Sequence, residues 1–141
     1  MNRRDFIKKG CIACSSVTLL SAVLQSCTTV KYVSGELNDH GMLIPITDFA
    51  DNREYLIARH DDLLYPICIY KDGDAYSALL MRCTHQGAEL QVAGDLLICP
   101  AHGSEFDKWG KVAQGPAADG LRSFPVAVKD NHLFIDLRKQ S

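Results

Sequence analysis

The sequence predicts an all-β domain, and three observations carry that prediction. After residue 27 the chain runs in short stretches rich in Val, Ile, Leu and Tyr, separated by turn residues such as Asp61-Asp62, Asp72-Gly73 and Asp130-Asn131. No apolar pattern with a 3.6-residue period is sustained in that region, so no packed helix is expected there. The whole chain has 141 residues, 47% of them apolar, which suits one domain.

The first 26 residues are set apart from that domain. Arg3 and Arg4 precede Asp5-Phe6-Ile7-Lys8, and a stretch of small and apolar residues runs from Cys11 to Leu24. A basic start followed by about 14 such residues has the shape of an export signal and is short for a bilayer span. The run Asn2 to Lys8 resembles a twin-arginine signal, which exports proteins already folded. Leu24-Gln25-Ser26-Cys27 resembles a bacterial lipobox, which implies cleavage before Cys27 and a lipid on it. The blander alternative is an uncleaved membrane-anchoring N-terminus. The expected organisation is a signal helix over residues 1–26 outside the mature fold, a lipidated terminus and short tether over 27–29, and a domain over 30–141. Such a protein is exported and anchored to a bacterial membrane without spanning it, facing the periplasm or the cell exterior. Cys11 and Cys14 have C-x-x-C spacing, but inside the signal's apolar core they read as small apolar residues.

Strand-like runs then follow in order. Val30–Leu37 and Met42–Thr47 flank the turn residues Asn38-Asp39-His40-Gly41 as a hairpin. Glu54–His60 and Leu64–Tyr70 form a second pair, and the tight turn Lys71 to Asp74 leads into Ala75–Arg82. Ala88–Val92 and Leu96–Ile98 make a short hairpin about Ala93-Gly94-Asp95. Leu121–Lys129 and His132–Leu137 close the domain about Asp130-Asn131. His40, His60 and His132 fall at turns or strand ends and are expected at the surface. Residues 28–141 carry 11 Lys and Arg against 16 Asp and Glu, a balance of −5 with His neutral. There is no basic stripe, so nucleic acid is not an expected partner.

Two clusters, Cys83-Thr84-His85 and Cys99-Pro100-Ala101-His102, each pair one thiol with one imidazole, with thirteen residues between them. Soft donors of this kind suit iron–sulfur or zinc rather than hard cations. A two-iron centre with sulfur on one iron and nitrogen on the other needs this division. Zinc is the alternative, because two Cys and two His also complete a tetrahedral site, and the protein would then be a zinc-stabilised surface binding module without a redox role. Structural zinc ligands usually come in pairs two to four residues apart, and Cys83-x-His85 is tighter. With Cys27 lipidated and Cys83 and Cys99 on metal, Cys68 has no partner. It sits in the strand-like run Tyr65–Tyr70 as a small buried hydrophobe.

The surroundings of the two clusters add a family. Cys83-Thr84-His85-Gln86-Gly87 and Cys99-Pro100-Ala101-His102-Gly103-Ser104 resemble the two binding boxes of Rieske-type [2Fe–2S] proteins. The resemblance continues through Phe106-Asp107, Gly110, Val112, Gly115-Pro116-Ala117, Leu121 and Phe124-Pro125-Val126. It implies a small antiparallel β-sandwich with one [2Fe–2S] cluster held by two loops at one tip. It also implies Cys83 and Cys99 on the inner iron and His85 and His102 on the outer one. Gly87 and Gly103 would let backbone N–H groups approach the sulfides, and the loop at Pro116 would cover the cluster's third side. Two departures bear on potential. Ala88 and Ala101 stand where high-potential members carry a disulfide, and Phe106 replaces a tyrosine whose hydroxyl bonds a ligand sulfur. Ser104 keeps a hydroxyl able to donate to a sulfide. One donor kept and one lost predicts an intermediate value within the family's span of roughly −150 to +300 mV.

The expected function is a membrane-anchored one-electron carrier, either free or as the electron-transfer subunit of a respiratory or other oxidoreductase complex. The chain leaves no room for a substrate-oxidising domain and shows no Ser/His/Asp arrangement, so it is not expected to be a stand-alone enzyme. Its partners would be redox proteins as donor and acceptor, with the membrane reached through Cys27. A Rieske ferredoxin serving an aromatic-ring oxygenase also matches the boxes, but such ferredoxins work in the cytoplasm. Export in the folded state fits the site, because a cluster clamped between two loops needs the loops already folded.

Overall fold

The computed structural model describes residues 30–138. Arg3, Arg4, Cys11, Cys14 and Cys27 lie outside the described residues, and so do the export and lipidation expectations. Thirteen strands are described: β1 (Tyr32–Ser34), β2 (Glu36–Leu37), β3 (Gly41–Pro45), β4 (Tyr55–Arg59), β5 (Ile67–Asp72), β6 (Ala75–Leu80), β7 (Gln91–Ala93), β8 (Leu96–Ile98), β9 (Glu105–Asp107), β10 (Val112–Gln114), β11 (Ser123–Phe124), β12 (Val126–Lys129) and β13 (His132–Asp136). The described domain is all-β apart from one 3₁₀ turn at Ile46–Phe49.

The strands form three sheets, in the orders β1-β4-β5-β6-β11, β10-β9-β8-β7 and β12-β13-β3-β2. The five-stranded sheet is the middle layer and is buried on both faces. Ile67 and Ile69 of β5 enter one core with Leu56, Met42, Ile44 and Leu133, whereas Cys68 and Tyr70 enter the other with Leu79, Leu97, Phe106 and both box cysteines. Successive side chains point to opposite faces, so a strand covered on both sides reads as a continuous apolar run. This is why Ile67–Tyr70 shows no polar alternation.

The hairpins about residues 38–41, 73–74, 94–95 and 130–131 form as expected. Asn38 Oδ1 accepts the N–H groups of His40 and Gly41 at 3.0 and 2.9 Å, which fixes the first turn. Asp130 and Asn131 both adopt positive φ (49° and 61°), as a two-residue hairpin turn with matching twist requires.

Other expectations need correction. The run 30–37 is not one strand: β2 pairs with β3, but β1 pairs with β4, the one parallel pairing between the described strands. The chain changes sheet at Gly35, where a Cβ would lie 2.3 Å from Met42 Cγ. The run 121–129 divides likewise at Pro125, which has no N–H for a ladder. There β11 joins β6, and β12 turns to β13. The strand expected from Leu64 begins at Ile67, after Pro66, and Leu64 is exposed. β9 and β10 were not expected at all, and they extend the sheet that carries the second box.

Candidate metal centre

Each box is the tip of a small hairpin, and the two tips share one backbone plan. Arg82 bridges Glu89 across the first, and Ile98 pairs with Glu105 across the second. In both, the partner lies seven residues on and the cysteine follows the first member. Cys83 N–H donates to the Ala88 carbonyl at 2.8 Å, and Gly87 N–H returns to the Cys83 carbonyl at 2.8 Å. Cys99 and Ser104, and Gly103 and Cys99, repeat those bonds at 2.8 and 2.9 Å. Closing the turn this way places the fifth residue at positive φ, +80° at Gly87 and +76° at Gly103, where a side chain is strained. The described reason for these glycines is therefore the turn itself. The histidines sit one position apart in the matched turns, two residues after Cys83 and three after Cys99.

The four candidate donors arrive as two pairs. Cys83 and Cys99 are 2% and 1% exposed, and they close the core formed by Leu79, Met81, Leu90, Leu97 and Phe106. His85 and His102 are exposed, with ring centroids 5.0 Å apart and planes perpendicular. Burial pushes the Cys99 thiol up, but the backbone N–H groups of His102 and Ala101 and the Cys83 thiol outweigh it. Cys99 is thereby held below the ordinary thiol value. A thiol that gives up its proton readily is what a metal ligand needs. Cys68, on the same side of the central sheet, behaves oppositely: burial pushes it up to about 12, and only the Tyr70 hydroxyl opposes this. Cys68, Cys83 and Cys99 form no disulfide. Among the described residues no three His, Cys, Asp or Glu side chains gather about a single ion position.

A third loop is bound to both boxes. Ser104, fully buried, accepts the Ala117 N–H on its Oγ at 3.0 Å. Thr84 Oγ1 donates to the Asp119 carbonyl at 2.6 Å. Pro116, joined to Gly115 by a cis peptide, is exposed and directly precedes the first of these attachments. Two further side chains grip the turns from outside: Tyr65 Oη donates to the Gly87 carbonyl at 2.8 Å, and Gln114 Nε2 donates to the Gly103 carbonyl at 3.2 Å. Sequence reasoning missed Thr84, Tyr65 and Gln114 as supports. The Thr84 hydroxyl inside the box was a usable signal, but Tyr65 and Gln114 act across 22 and 11 residues and no local pattern marks them. Phe106 is completely buried behind the thiol pair.

The Rieske [2Fe-2S] domain family matches residues 44–125, more than half of the chain and the whole of both boxes. This chain is a Rieske protein. The domain of this family binds one [2Fe–2S] cluster. The donors fit that group, with two soft sulfurs as a buried pair and two imidazoles as an exposed pair. Membership also answers the zinc alternative, since a lone zinc ion is not the group the family carries.

Among curated relatives, the cytochrome b6-f complex iron-sulfur subunit 2 of Nostoc sp. is 33% identical over 92 residues, 64% of this chain and 46% of that one. Ferredoxin CarAc of Metapseudomonas resinovorans is 34% identical over 74 residues, 50% of this chain and 69% of that one. The chain spans about half the length of the cytochrome b6-f subunits it matches. The crystal structure of the plasma membrane Rieske protein from Synechocystis PCC 6803 has the same fold, with a TM-score of 0.57 and 23% identity over 67% of this chain and 97% of that one. The ferredoxin of carbazole 1,9a-dioxygenase from Nocardioides aromaticivorans shares it too, with a TM-score of 0.54 and 19% identity over 72% of this chain and all of that one. No helix among the described residues is long and apolar enough to cross a membrane.

Proposed function

We propose that this protein is a one-electron carrier whose single Rieske-type cluster is held by Cys83 and Cys99 through sulfur and by His85 and His102 through nitrogen. The observation that carries the reading is the pairing at the joined tips: two thiols closed into the core and two imidazoles facing solvent. Bound there, the cluster supplies one-electron chemistry at a potential raised by its two neutral imidazole ligands. The residues do the rest. Phe106, Leu97 and Met81 exclude water from the sulfur side, while the exposed imidazoles offer the edge at which a redox partner can make contact. The loop held by Ser104 and Thr84 limits water on a third side, with Pro116 at its rim. Gly87 and Gly103 allow the turns to close.

The potential is intermediate in this proposal. Ser104 accepts from Ala117 and so keeps its own hydroxyl proton for a sulfide, whereas Phe106 has no hydroxyl to offer. The protein is exported through the signal at Arg3 and Arg4, cleaved after residue 26, and anchored by lipid on Cys27. Residues 28–29 serve as tether and 30–141 as the redox domain. It acts as a free carrier between redox proteins, or as the electron-transfer subunit of an oxidoreductase complex. Isolation of the full chain from bacterial membranes in detergent tests each part. Intact mass is expected to show a lipid-modified Cys27, and redox titration followed by EPR an intermediate midpoint within the family's span. A midpoint at the top of that span overturns the reading of Ser104 and Phe106. An unmodified N-terminus overturns the anchor.

A further inference from the structure

We propose that Arg82, laid over the ring of Tyr65 behind the first box, is a fixed positive charge that raises the reduction potential of the centre, with Tyr65 as the residue that positions it. This rests on Cys83 being a sulfur ligand. The Arg82 guanidinium carbon lies 5.8 Å from the Tyr65 ring centroid, within the range of a cation–π contact. The same tyrosine donates its hydroxyl to the Gly87 carbonyl at 2.8 Å. A Cβ built on Gly87 would lie 3.3 Å from Arg82 Nε and 3.4 Å from the nearer terminal nitrogen, so the guanidinium runs along the outside of the Cys83–Gly87 turn. One aromatic ring thus holds both the charge and the turn.

The charge is not cancelled by its cross-strand neighbour. Glu89 faces Arg82 across the hairpin, but its carboxylate is bound by Arg59. Reduction adds one electron, taken from a donor protein, and one negative charge to the centre without making or breaking a bond. A positive charge fixed beside it therefore favours the reduced form. Arg82 is exposed, so salt weakens this effect without abolishing it.

EPR-monitored redox titration of the full-length, cluster-bearing protein tests the proposal. R82Q is expected to move the reduction equilibrium roughly three- to tenfold toward the oxidised form, a fall of about 30–60 mV at 59 mV per tenfold. R82K is expected to recover most of that shift, and Y65L, which removes the platform, to move in the same direction as R82Q. Added salt should shrink the difference between R82Q and wild type, a response that a purely structural defect does not give. K129Q, which deletes the same charge on the outer sheet, is expected to leave the midpoint in place. An R82Q protein with intact cluster spectrum and wild-type midpoint overturns the proposal. Should R82Q load no cluster, Y65L at the wild-type midpoint overturns it instead. A wild-type protein with no Rieske signal at all overturns the cluster assignment, a separate result.

Discussion

Replacing Ser104 by alanine removes a single oxygen from a fully buried position, to which the structure gives one task and the proposed function a second. It accepts the N–H of Ala117, itself 5% exposed, at 3.0 Å, and so ties the second box to the third loop. Leaving a buried donor without a partner costs about 1–3 kcal/mol. For a domain of this size each kcal/mol corresponds to roughly 4 °C in Tm, so S104A should melt roughly 4–12 °C below wild type. In the proposed function its hydroxyl proton, which the bond from Ala117 leaves free, is donated to a cluster sulfide. Its loss disfavours the reduced, more negative state, so the midpoint should fall together with Tm. Circular dichroism melting and redox titration of the same cluster-loaded preparation read both effects. A variant with Tm within about 1 °C of wild type and an unchanged midpoint would refute both assignments.

Three further outcomes are expected. At Gly103 a Cβ meets no protein atom within 4 Å, so within the protein G103A suffers the strain of φ +76°, about 1–2 kcal/mol, whereas at Gly120 a Cβ would sit 2.8 Å from the Gly110 carbonyl oxygen. G120A should therefore melt lower than G103A, and the reverse order contradicts the packing of the third loop. The side chain of Arg138, and then its backbone N–H, hold the Asp136 carboxyl down to about 2 from an ordinary 3.8. A depressed native value means stability that is complete above the ordinary value and lost as pH falls through about 2. D136N should be less stable than wild type by a constant amount above about pH 5, with a flatter acid limb in a urea-unfolding series between about pH 4 and 2 as the difference closes. A limb of unchanged slope counts against the pair. Cys68, pushed up to about 12 by burial, should resist iodoacetamide at about pH 8 in the native protein and react once unfolded. Peptide mapping that finds it alkylated in the native state contradicts its placement.

The sequence made the site legible because its chemistry is local. A thiol and an imidazole within four residues, twice, with a glycine closing each turn, leave few alternatives, and the structure brings all four donors to joined tips. The tight hairpin turns were legible for the same reason, since Gly73-Asp74, Gly94-Asp95 and Asp130-Asn131 impose their conformation without help from elsewhere. What escaped depends on distant partners. Gly35 and Pro125 each divide a continuous apolar run between two sheets, and only the neighbours waiting on either side decide that. Glu105-Phe106-Asp107 and Val112-Ala113-Gln114 are too short to declare themselves as strands, yet β9 pairs with β8 because the second box folds the chain back at Ser104, and β10 pairs with β9 because Asp107 closes the next turn on the N–H groups of Trp109 and Lys111. Tyr65 and Gln114 look like ordinary surface-capable residues in the sequence, and their hold on the box turns exists only after the layers pack. The glycines show a third case: their positions were legible, but the positive φ of the shared turn became visible only in the fold.

Iron, zinc and acid-labile sulfide should be counted in freshly isolated full-length protein. A buried sulfur pair joined to an exposed imidazole pair in a Rieske domain predicts about two irons and about two sulfides per chain, without zinc. One zinc per chain and no labile sulfide would contradict the electron-carrier assignment at its root.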